Sequence, residues 1–257
     1  MQDHQAGHIG DFFKIGLLRW LGSPSPYGRG HRIGVVWFRA VDGAEESAGE
    51  PPAWLDPSSE LGQDLRPLDP DLYDRLRQIA ERGDGSVSAL EAAGALPKGT
   101  VCFDQLLSFA DLSPTDVAKR TIRRERWFHE AMVAVGSCSL VFVDSDEGLS
   151  DADGSLLAPR LLAGGDTSLS ELGRLLERGQ SVVTHHLVDH SDGLAEQVQA
   201  RMTEIYETLG AEPLAAVRAS RGATRLFMVI PHPGHRPDFQ HRIGALQLSR
   251  WGDEFRV

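Results

Sequence analysis

The chain has 257 residues, of which 41% are hydrophobic and 25% are charged, and its formal net charge is −11. This length and balance suit one globular domain over residues 1–257, and the negative charge disfavours broad electrostatic binding to nucleic acid or to anionic membranes. No apolar run approaches the roughly 20 residues that span a bilayer, and the first residues lack the basic-then-apolar order of a secretory signal. We therefore expect a cytoplasmic protein without a membrane partner, and the sequence leaves its oligomeric state open.

The first part of the chain predicts a buried helix, a strand and a long surface segment. Asp11 can cap an apolar helix that stops at Gly22. On this helix Lys14 either forms a surface pair with Asp11 or points its ammonium group into a pocket above the sheet. Residues 32–38 form a compact apolar run, rich in β-branched and aromatic residues, that is typical of a strand. Residues 42–67 are rich in Gly, Pro, Ser and acidic residues, which predicts a long irregular excursion.

The next segment predicts two helices and a short strand. Asp69 and Pro70 are typical of an N-cap followed by the first helical position. A second, short helix over 87–93 leads into a strand over 100–103. Cys102 falls in this strand and Cys138 precedes a later one. Because their spacing matches no CxxC motif, both are expected to be reduced, buried thiols.

A strongly basic helix follows. Its cationic side chains could meet a phosphate backbone, but such a run is more often a solvated helix face, and the net charge of the chain also disfavours nucleic acid. The cationic residues are Lys119, Arg120, Arg123, Arg124 and Arg126, and the residues expected on the buried side of the helix are Ile122, Phe128, Met132 and Val135.

The second half of the chain alternates strands and helices and then changes character. A buried strand over 139–143 precedes a helix that begins with the capping box Ser168-Leu169-Ser170-Glu171, and a further strand is expected over 181–184. Two strands over 214–217 and 225–230 read as an antiparallel hairpin. The alternation predicts an α/β fold with one mostly parallel sheet, helices on both faces, and this hairpin at the C-terminal end.

The strongest candidate site is the acidic turn Asp144-Ser145-Asp146-Glu147-Gly148. It follows a buried strand, and ligands of open parallel sheets bind beyond the carboxyl ends of the strands. Three carboxylates within four residues repel one another unless they bind a cation, accept hydrogen bonds or face water. Asp144, Asp146 and Glu147 therefore predict a loop that contacts a metal ion, an amine or a cofactor. A solvent-exposed acidic loop is the alternative.

A second polar group follows the strand expected over 181–184. The run Thr184-His185-His186-Leu187-Val188-Asp189-His190 resembles the T-H-x-H-x-D-H signature of metallo-β-lactamase-fold hydrolases, in which imidazoles and a carboxylate hold zinc. Leu187 stands where that signature has its middle histidine. The simpler interpretation is that His185 and His186 are polar residues at a strand end near a site.

Three segments together resemble an uncharacterised bacterial family that has a G-D-x-x-K helix and a strand ending in D-P-D-N-G-L. The segments are Gly10-Asp11-Phe12-Phe13-Lys14 with Leu17-Leu18-Arg19-Trp20, then Gly34-Val35-Val36-Trp37, and then Leu140-Val141-Phe142-Val143-Asp144-Ser145-Asp146-Glu147-Gly148-Leu149. This resemblance covers most of the chain and brings no assigned activity with it.

More distantly, the layout is similar to the Rossmann-like, S-adenosylmethionine-dependent methyltransferases that modify an adenine N6 of bacterial 23S ribosomal RNA. That family has a lysine-containing helix near its N-terminus, a D-P-P-Y motif after its fourth strand, and a terminal hairpin whose last strand runs against the others. The resemblance implies that Lys14 lies near the S-adenosylmethionine pocket. It also implies that Asp144 accepts from the target amino group, whose developing positive charge an oxygen stabilises.

The chain departs from that family at two places. Ser145, Asp146 and Glu147 replace the Pro-Pro-Tyr of the motif, so no aromatic residue remains there to stack on a base. The first strand is not followed by a glycine-rich loop, although Asp42 and Gly43 could partly substitute for one. The predicted cofactor-binding residues are therefore Asp11, Lys14, Asp42 and Gly43.

Three functions remain open. The preferred one is a methyltransferase that uses S-adenosylmethionine on an unknown substrate, with Asp144, Asp146 and Glu147 at the reacting centre. The second is a metal-dependent phosphoesterase or nuclease that binds Mg²⁺ or Mn²⁺ through this acidic cluster with His185 and His186, because carboxylates suit these ions. The third is a non-catalytic accessory protein that keeps the fold and a degenerate pocket.

Overall fold

A computed structural model of the chain describes residues 8–24, 26, 29–38, 52–83, 86–145, 148–149, 166–187, 193–219 and 225–256. The strands are β1 (Ile33–Trp37), β2 (Val101–Phe103), β3 (Leu140–Asp144), β4 (Gly148–Leu149), β5 (Asp166–Thr167), β6 (Ser181–Leu187), β7 (Ala215–Ala219), β8 (Arg225–Ile230) and β9 (Phe255–Arg256). The helices are α1 (Ile9–Gly22), α2 (Glu60–Leu65), α3 (Pro70–Arg82), α4 (Val87–Ala92), α5 (Val117–Ala134), α6 (Leu169–Glu177), α7 (Leu194–Leu209) and α8 (Arg236–Gln247).

The described strands form a central sheet in the order β2-β1-β3-β6-β8-β7-β9. β2, β1, β3 and β6 run parallel, whereas β8 runs antiparallel to its neighbours β6 and β7, and β9 runs antiparallel to β7. β4 and β5 form a separate, two-stranded parallel ribbon. The predicted α/β fold, a mostly parallel sheet with a C-terminal antiparallel hairpin, is confirmed.

Helices cover both faces of this sheet. On one face, α1, α3 and α8 share a hydrophobic core with strand residues such as Val35 and Phe142. On the other face, α5, α6 and α7 share a core with residues such as Val36 and Val141. The two cores take alternate residues of each strand because successive side chains point to opposite faces. Within the described part of the chain, no helix is both long and apolar enough to cross a membrane.

The prediction of an irregular excursion over 42–67 is wrong for the second half of this segment, which forms a 3-10 turn and then α2. Trp54 and Leu55 are buried there, and the Tyr73 hydroxyl donates a hydrogen bond to the Trp54 carbonyl at 2.8 Å. Burial of two large apolar side chains stabilises a segment whose composition alone predicts a loop. Residues 42–51 lie outside the described residues.

The C-terminal part of the chain contains a helix that no sequence pattern predicts. In α8 the apolar residues Phe239, Ile243 and Leu246 are buried. Arg242 is also buried, and its guanidinium donates to Asp238 Oδ2 at 2.6 Å and to the carbonyls of Trp20 and Ser23 on the far end of α1. A buried arginine on the inner face obscures the amphipathic pattern, because Asp238 on the same helix and the carbonyls at the end of α1 satisfy its charge.

The two cysteines are free thiols, as predicted. Burial raises the pKa of the Cys102 thiol and also that of the Cys138 thiol, so both stay protonated near neutral pH. A cysteine attacks or binds a metal ion as the thiolate. Cys138 is buried as predicted, whereas Cys102 is only partly buried and packs against one of the two hydrophobic cores.

The basic helix α5 buries Phe128, Met132 and Val135 as predicted, but not Ile122. Ile122, expected to be buried, is 62% exposed, while Arg124 is 1% exposed. The buried stripe consists of Arg124, Trp127, Phe128, Ala131 and Met132. These positions follow the helical period of i, i+3, i+4, i+7 and i+8, which leaves Ile122 on the opposite side of the helix.

Several cations of α5 already have partners within the protein. Lys119 lies 3.3 Å from an Asp116 carboxylate oxygen, Arg123 pairs with Asp111, and Arg120 donates to a main-chain carbonyl. Such partners compete with phosphate groups for the same charges. They reduce the positive charge that this helix offers to a nucleic-acid backbone.

A buried ion pair joins α5 to the start of α6. Arg124 Nε and Nη2 each donate to one carboxylate oxygen of Glu171 at 2.8 Å, and Nη2 also donates to the Asp166 carbonyl at 2.6 Å. Glu171 belongs to the predicted capping box, which is confirmed, because Ser168 N donates to its carboxylate and Ser168 Oγ accepts from its main-chain N–H. The pair therefore fixes α5, α6 and β5 to one another.

Arg124→Met is expected to lower the free energy of unfolding by about 3–5 kcal/mol, because it leaves the Glu171 carboxylate buried without its cation. The matched control is Arg123→Met on the same helix, where the broken pair with Asp111 is exposed to solvent and the change should be small. Urea unfolding monitored by circular dichroism measures both. Equal destabilisation by the two substitutions would contradict the role of Arg124.

Candidate functional site

The carboxyl ends of β1, β3 and β6 meet at one edge of the sheet. From β1 the chain passes to β2 on one side and then returns to β3 on the other side. The crevice between β1 and β3 is therefore the topological switch point, where ligands of open α/β sheets bind. The strand register places Trp37 beside Asp144 and aligns Val143 with Thr184, so that His185 follows at the level of Asp144.

Helix α1 brings two more ionic side chains to this edge. Lys14 Nζ donates to Asp144 Oδ2 at 2.8 Å and lies 3.5 Å from Asp11 Oδ1. Lys14 and Asp144 are nearly inaccessible to solvent, with side chains 4% and 2% exposed. α1 begins at Ile9, so Asp11 lies in the first turn and shares a helix face with Lys14, three residues later. Of the two orientations considered for Lys14, the structure shows the one directed towards the sheet.

His185 completes the group from the other side. Its Nδ1 atom lies 3.3 Å from Asp144 Oδ1, and its side chain is 4% exposed. The contact is long and poorly aligned for a hydrogen bond, as Nδ1 has no partner with hydrogen-bond geometry among the described residues. The two oxygens of Asp144 thus face different groups, Lys14 and His185. We refer to Asp11, Lys14, Asp144 and His185 as the Asp144 cluster.

Electrostatic interactions within the cluster keep Asp144 ionised. Burial by itself would raise the pKa of this carboxyl group, but the neighbouring ammonium of Lys14 and the imidazole of His185 outweigh burial and hold the pKa well below its usual range. An ionised carboxylate is costly to bury unless it is paired. The Lys14 ammonium is therefore the group that allows a charged Asp144 at this position.

Two aromatic rings line the ammonium of Lys14. Its Nζ atom lies 5.6 Å from the centroid of the Trp37 ring and 6.0 Å from that of the Phe142 ring. Aromatic faces attract cations at such distances. Sequence analysis did not assign either ring to the site. For Phe142 the sequence does contain a signal: Phe142 precedes Asp144 by two residues on the same strand, and strand alternation therefore places both side chains on one face of the sheet.

Other predicted site residues are not part of the cluster. Strand alternation points His186 to the opposite face of β6 from His185, where it packs against Gly148. Gly148 has φ +93°, and an added Cβ atom there would lie 2.9 Å from His186 Cα, so the backbones approach closely. Asp146, Glu147, Asp42 and Gly43 lie outside the described residues.

The described residues do not offer a metal site at this edge. They contain no group of three or more His, Cys, Asp or Glu side chains placed to hold a metal ion. Asp144 and His185 are close together, but the Lys14 ammonium lies 2.8 Å from the same carboxylate. Asp144 and His185 would therefore supply at most two protein ligands, and one oxygen of Asp144 is already engaged by Lys14.

Comparison of the chain with protein-family models, with curated proteins and with solved structures found no match. Its function is therefore inferred from the Asp144 cluster and from the sheet that carries it.

Lys14→Met and Asp144→Asn are each expected to lower the free energy of unfolding. For Lys14→Met we expect a loss of about 3–5 kcal/mol, because this substitution leaves the Asp144 carboxylate buried without its cation. The double variant should be less destabilised than the sum of the two single variants, with a coupling energy above about 1 kcal/mol. Chemical denaturation of the four proteins gives this value.

The matched control cycle uses Arg66→Met and Asp74→Asn, which break an ion pair of similar length, 3.0 Å, on the surface. This exposed pair should show no measurable coupling. Additive effects of Lys14→Met and Asp144→Asn would contradict the buried ion pair.

Acid should destabilise the wild type more steeply than Asp144→Asn. Because the pKa of Asp144 is depressed in the folded protein, the unfolded chain takes up a proton below about pH 4 that the folded protein does not. The stabilisation by Asp144 is thus complete above that pH and is lost as the pH falls towards the folded-state pKa. The wild type should show an extra slope of up to about 1.4 kcal/mol per pH unit in urea unfolding between pH 4 and pH 2.5. Parallel curves of unfolding free energy against pH for the wild type and Asp144→Asn would contradict a depressed pKa of Asp144 in the folded protein.

Proposed function

We propose that this protein is an S-adenosylmethionine-dependent methyltransferase whose reacting centre lies at Asp144. The observation that carries the proposal is the Asp144 cluster: a buried, ionised carboxylate held by Lys14 and His185 at the switch point of the sheet. Buried charges at such a point cost stability and are not needed to fold a sheet of this kind. Perturbed ionisable groups in a ligand-binding crevice are typical of functional sites.

The sheet supports the same proposal. β8 lies antiparallel between β6 and β7. This is the terminal arrangement of the Rossmann-like methyltransferases that the sequence resembles, in which the last strand runs against the others. Since one fold hosts many activities, the strand order restricts the function only in combination with the site.

The residues of the cluster suit the cofactor and the reaction. S-adenosylmethionine supplies an electrophilic methyl group on a positively charged sulfur. Trp37 and Phe142 stabilise the Lys14 ammonium, which is hydrogen-bonded to Asp144 Oδ2, and the other oxygen, Oδ1, is the one that would stabilise positive charge near the sulfur. Lys14, which also contacts Asp11, holds the Asp144 carboxylate in place. As a nitrogen nucleophile gains positive charge during methyl transfer, Asp144 would stabilise that charge.

Calorimetry tests this proposal directly. The wild type should bind S-adenosylmethionine and S-adenosylhomocysteine. Asp144→Asn should weaken the binding of S-adenosylmethionine by at least about tenfold, or about 1.4 kcal/mol. The binding of S-adenosylhomocysteine should weaken by less, because only S-adenosylmethionine carries the positively charged sulfur. The matched control is Asp74→Asn, whose carboxylate pairs with Arg66 on the surface and should leave both affinities unchanged.

Two results would overturn the proposal. Absence of binding to the wild type at millimolar S-adenosylmethionine and S-adenosylhomocysteine would favour a non-catalytic accessory protein. Thermal stabilisation by Mn²⁺ that Asp144→Asn removes, again without cofactor binding, would favour the metal-dependent phosphoesterase instead.

A further inference from the structure

The two oxygens of Asp144 have different surroundings. Oδ2 accepts a hydrogen bond from the Lys14 ammonium at 2.8 Å, whereas Oδ1 lies 3.3 Å from His185 Nδ1. The carboxylate thus approaches the imidazole through one ring nitrogen only. Among the described residues, none is hydrogen-bonded to the other ring nitrogen, Nε2.

We propose that His185 is the general base of this site, that Asp144 orients its ring through Nδ1, and that the substrate is an aliphatic amine. The inference deepens the proposed methyltransferase function and rests on it. Histidine is the side chain that most readily exchanges protons near neutral pH. A base oriented by a carboxylate is also the arrangement that activates nucleophiles in many unrelated enzymes.

Asp144 itself is a poor base here. The Lys14 ammonium and the His185 imidazole outweigh burial and hold its pKa well below the usual range, so the carboxylate gives up a proton too easily to keep one taken from a substrate. What it can do is accept from Nδ1–H and stabilise the imidazolium that forms. The long contact between Nδ1 and Oδ1 fits this role, because catalytic hydrogen bonds often tighten only when substrate is bound.

The charged groups that face His185 in the described residues come from two elements. Asp144 lies on β3, and Lys14 and Asp11 lie on α1. On β8 the residue opposite His185 is Phe227, which is buried and carries no charge. The described surroundings of His185 therefore combine the charged groups of the Asp144 cluster with an apolar residue of β8.

The need for a base indicates the kind of substrate. An aliphatic amine is protonated at neutral pH and cannot attack until it loses that proton, whereas an aromatic amine already has its lone pair free of a proton. The net charge of −11 also favours the approach of a cationic substrate. Among the nucleophiles that need a base, an aliphatic amine is the one that carries a positive charge, and the negative charge of the protein favours it.

The methyl transfer starts from a protonated amine. The ammonium nitrogen of the substrate gives one proton to His185 and keeps the electron pair. This nitrogen then forms a bond to the methyl carbon of S-adenosylmethionine, while the electron pair of the broken carbon–sulfur bond stays on sulfur. The products are a methylated ammonium, S-adenosylhomocysteine and a protonated His185, which returns its proton to solvent.

Two substitutions separate a base from a structural contact. In His185→Asn the amide nitrogen can occupy the place of Nδ1 beside Asp144 Oδ1, but nothing replaces Nε2. In His185→Gln the amide reaches the place of Nε2 without acting as a base. Both should lower amine-dependent release of S-adenosylhomocysteine by about a hundredfold or more while calorimetric binding of S-adenosylhomocysteine persists.

The assay uses putrescine, spermidine and free lysine as amine probes, and adenosine as an aromatic-amine probe. The matched control is His129→Asn, an exposed histidine on α5 that should leave the rate unchanged. Turnover with an aliphatic amine and not with adenosine is the expected result. Wild-type activity in His185→Asn would reduce His185 to a structural partner of Asp144, and turnover of adenosine alone would overturn the substrate class.

Nuclear magnetic resonance of the ¹⁵N-labelled, ligand-free protein gives a readout that needs no activity. The His185 ring should carry its proton on Nδ1 and leave Nε2 unprotonated, and Asp144→Asn should alter this preference. A ring protonated only on Nε2 would overturn the inference. Failure of the proposed function is a different outcome, since the wild type would then bind neither S-adenosylmethionine nor S-adenosylhomocysteine.

Discussion

The ion pair between Lys14 and Asp144 determines how the site is built. It joins the first helix of the chain to a central strand 130 residues away, with the ammonium 2.8 Å from the carboxylate and both side chains buried. Because a single buried charge is far more costly than a paired one, neither residue can move without the other. α1 is accordingly enclosed by core residues on most of its sides, and the second oxygen of Asp144 is left to face His185.

The acidic turn is held at both of its ends. Asp144 is fixed by Lys14 before the turn, and Ser145 Oγ donates to the Gly148 carbonyl across it at 3.0 Å. Gly148 then pairs with β5, to which Arg124 is anchored through the Asp166 carbonyl. Lys14 on one face of the sheet and Arg124 on the other thus hold the two ends of the acidic turn. The geometry of the site therefore depends on both hydrophobic cores.

The chemistry proposed for this edge follows from dividing roles between neighbouring groups. A carboxylate whose charge is fixed by an ammonium is suited to stabilise positive charge and unsuited to take a proton. The neighbouring imidazole is suited to take a proton and unsuited to stabilise positive charge. The ionic groups that are costly to bury in the Asp144 cluster therefore also separate a base, His185, from a charge-stabilising group, Asp144. Pairs of titratable groups in different surroundings divide their roles in the same way elsewhere.

The sequence by itself determined the α/β class, the C-terminal hairpin, the capping box at Ser168 and the position of Asp144, because each depends on local periodicity, turn residues or the end of one apolar run. It did not determine the burial of Arg124 on α5, the extension of β6 through His185, or the existence of α8. Those features depend on partners far along the chain: Glu171 for Arg124, β8 for β6, and the carbonyls at the end of α1 for Arg242. For Lys14 the spacing allowed two orientations, and only packing of α1 against the sheet selected the one that pairs it with Asp144.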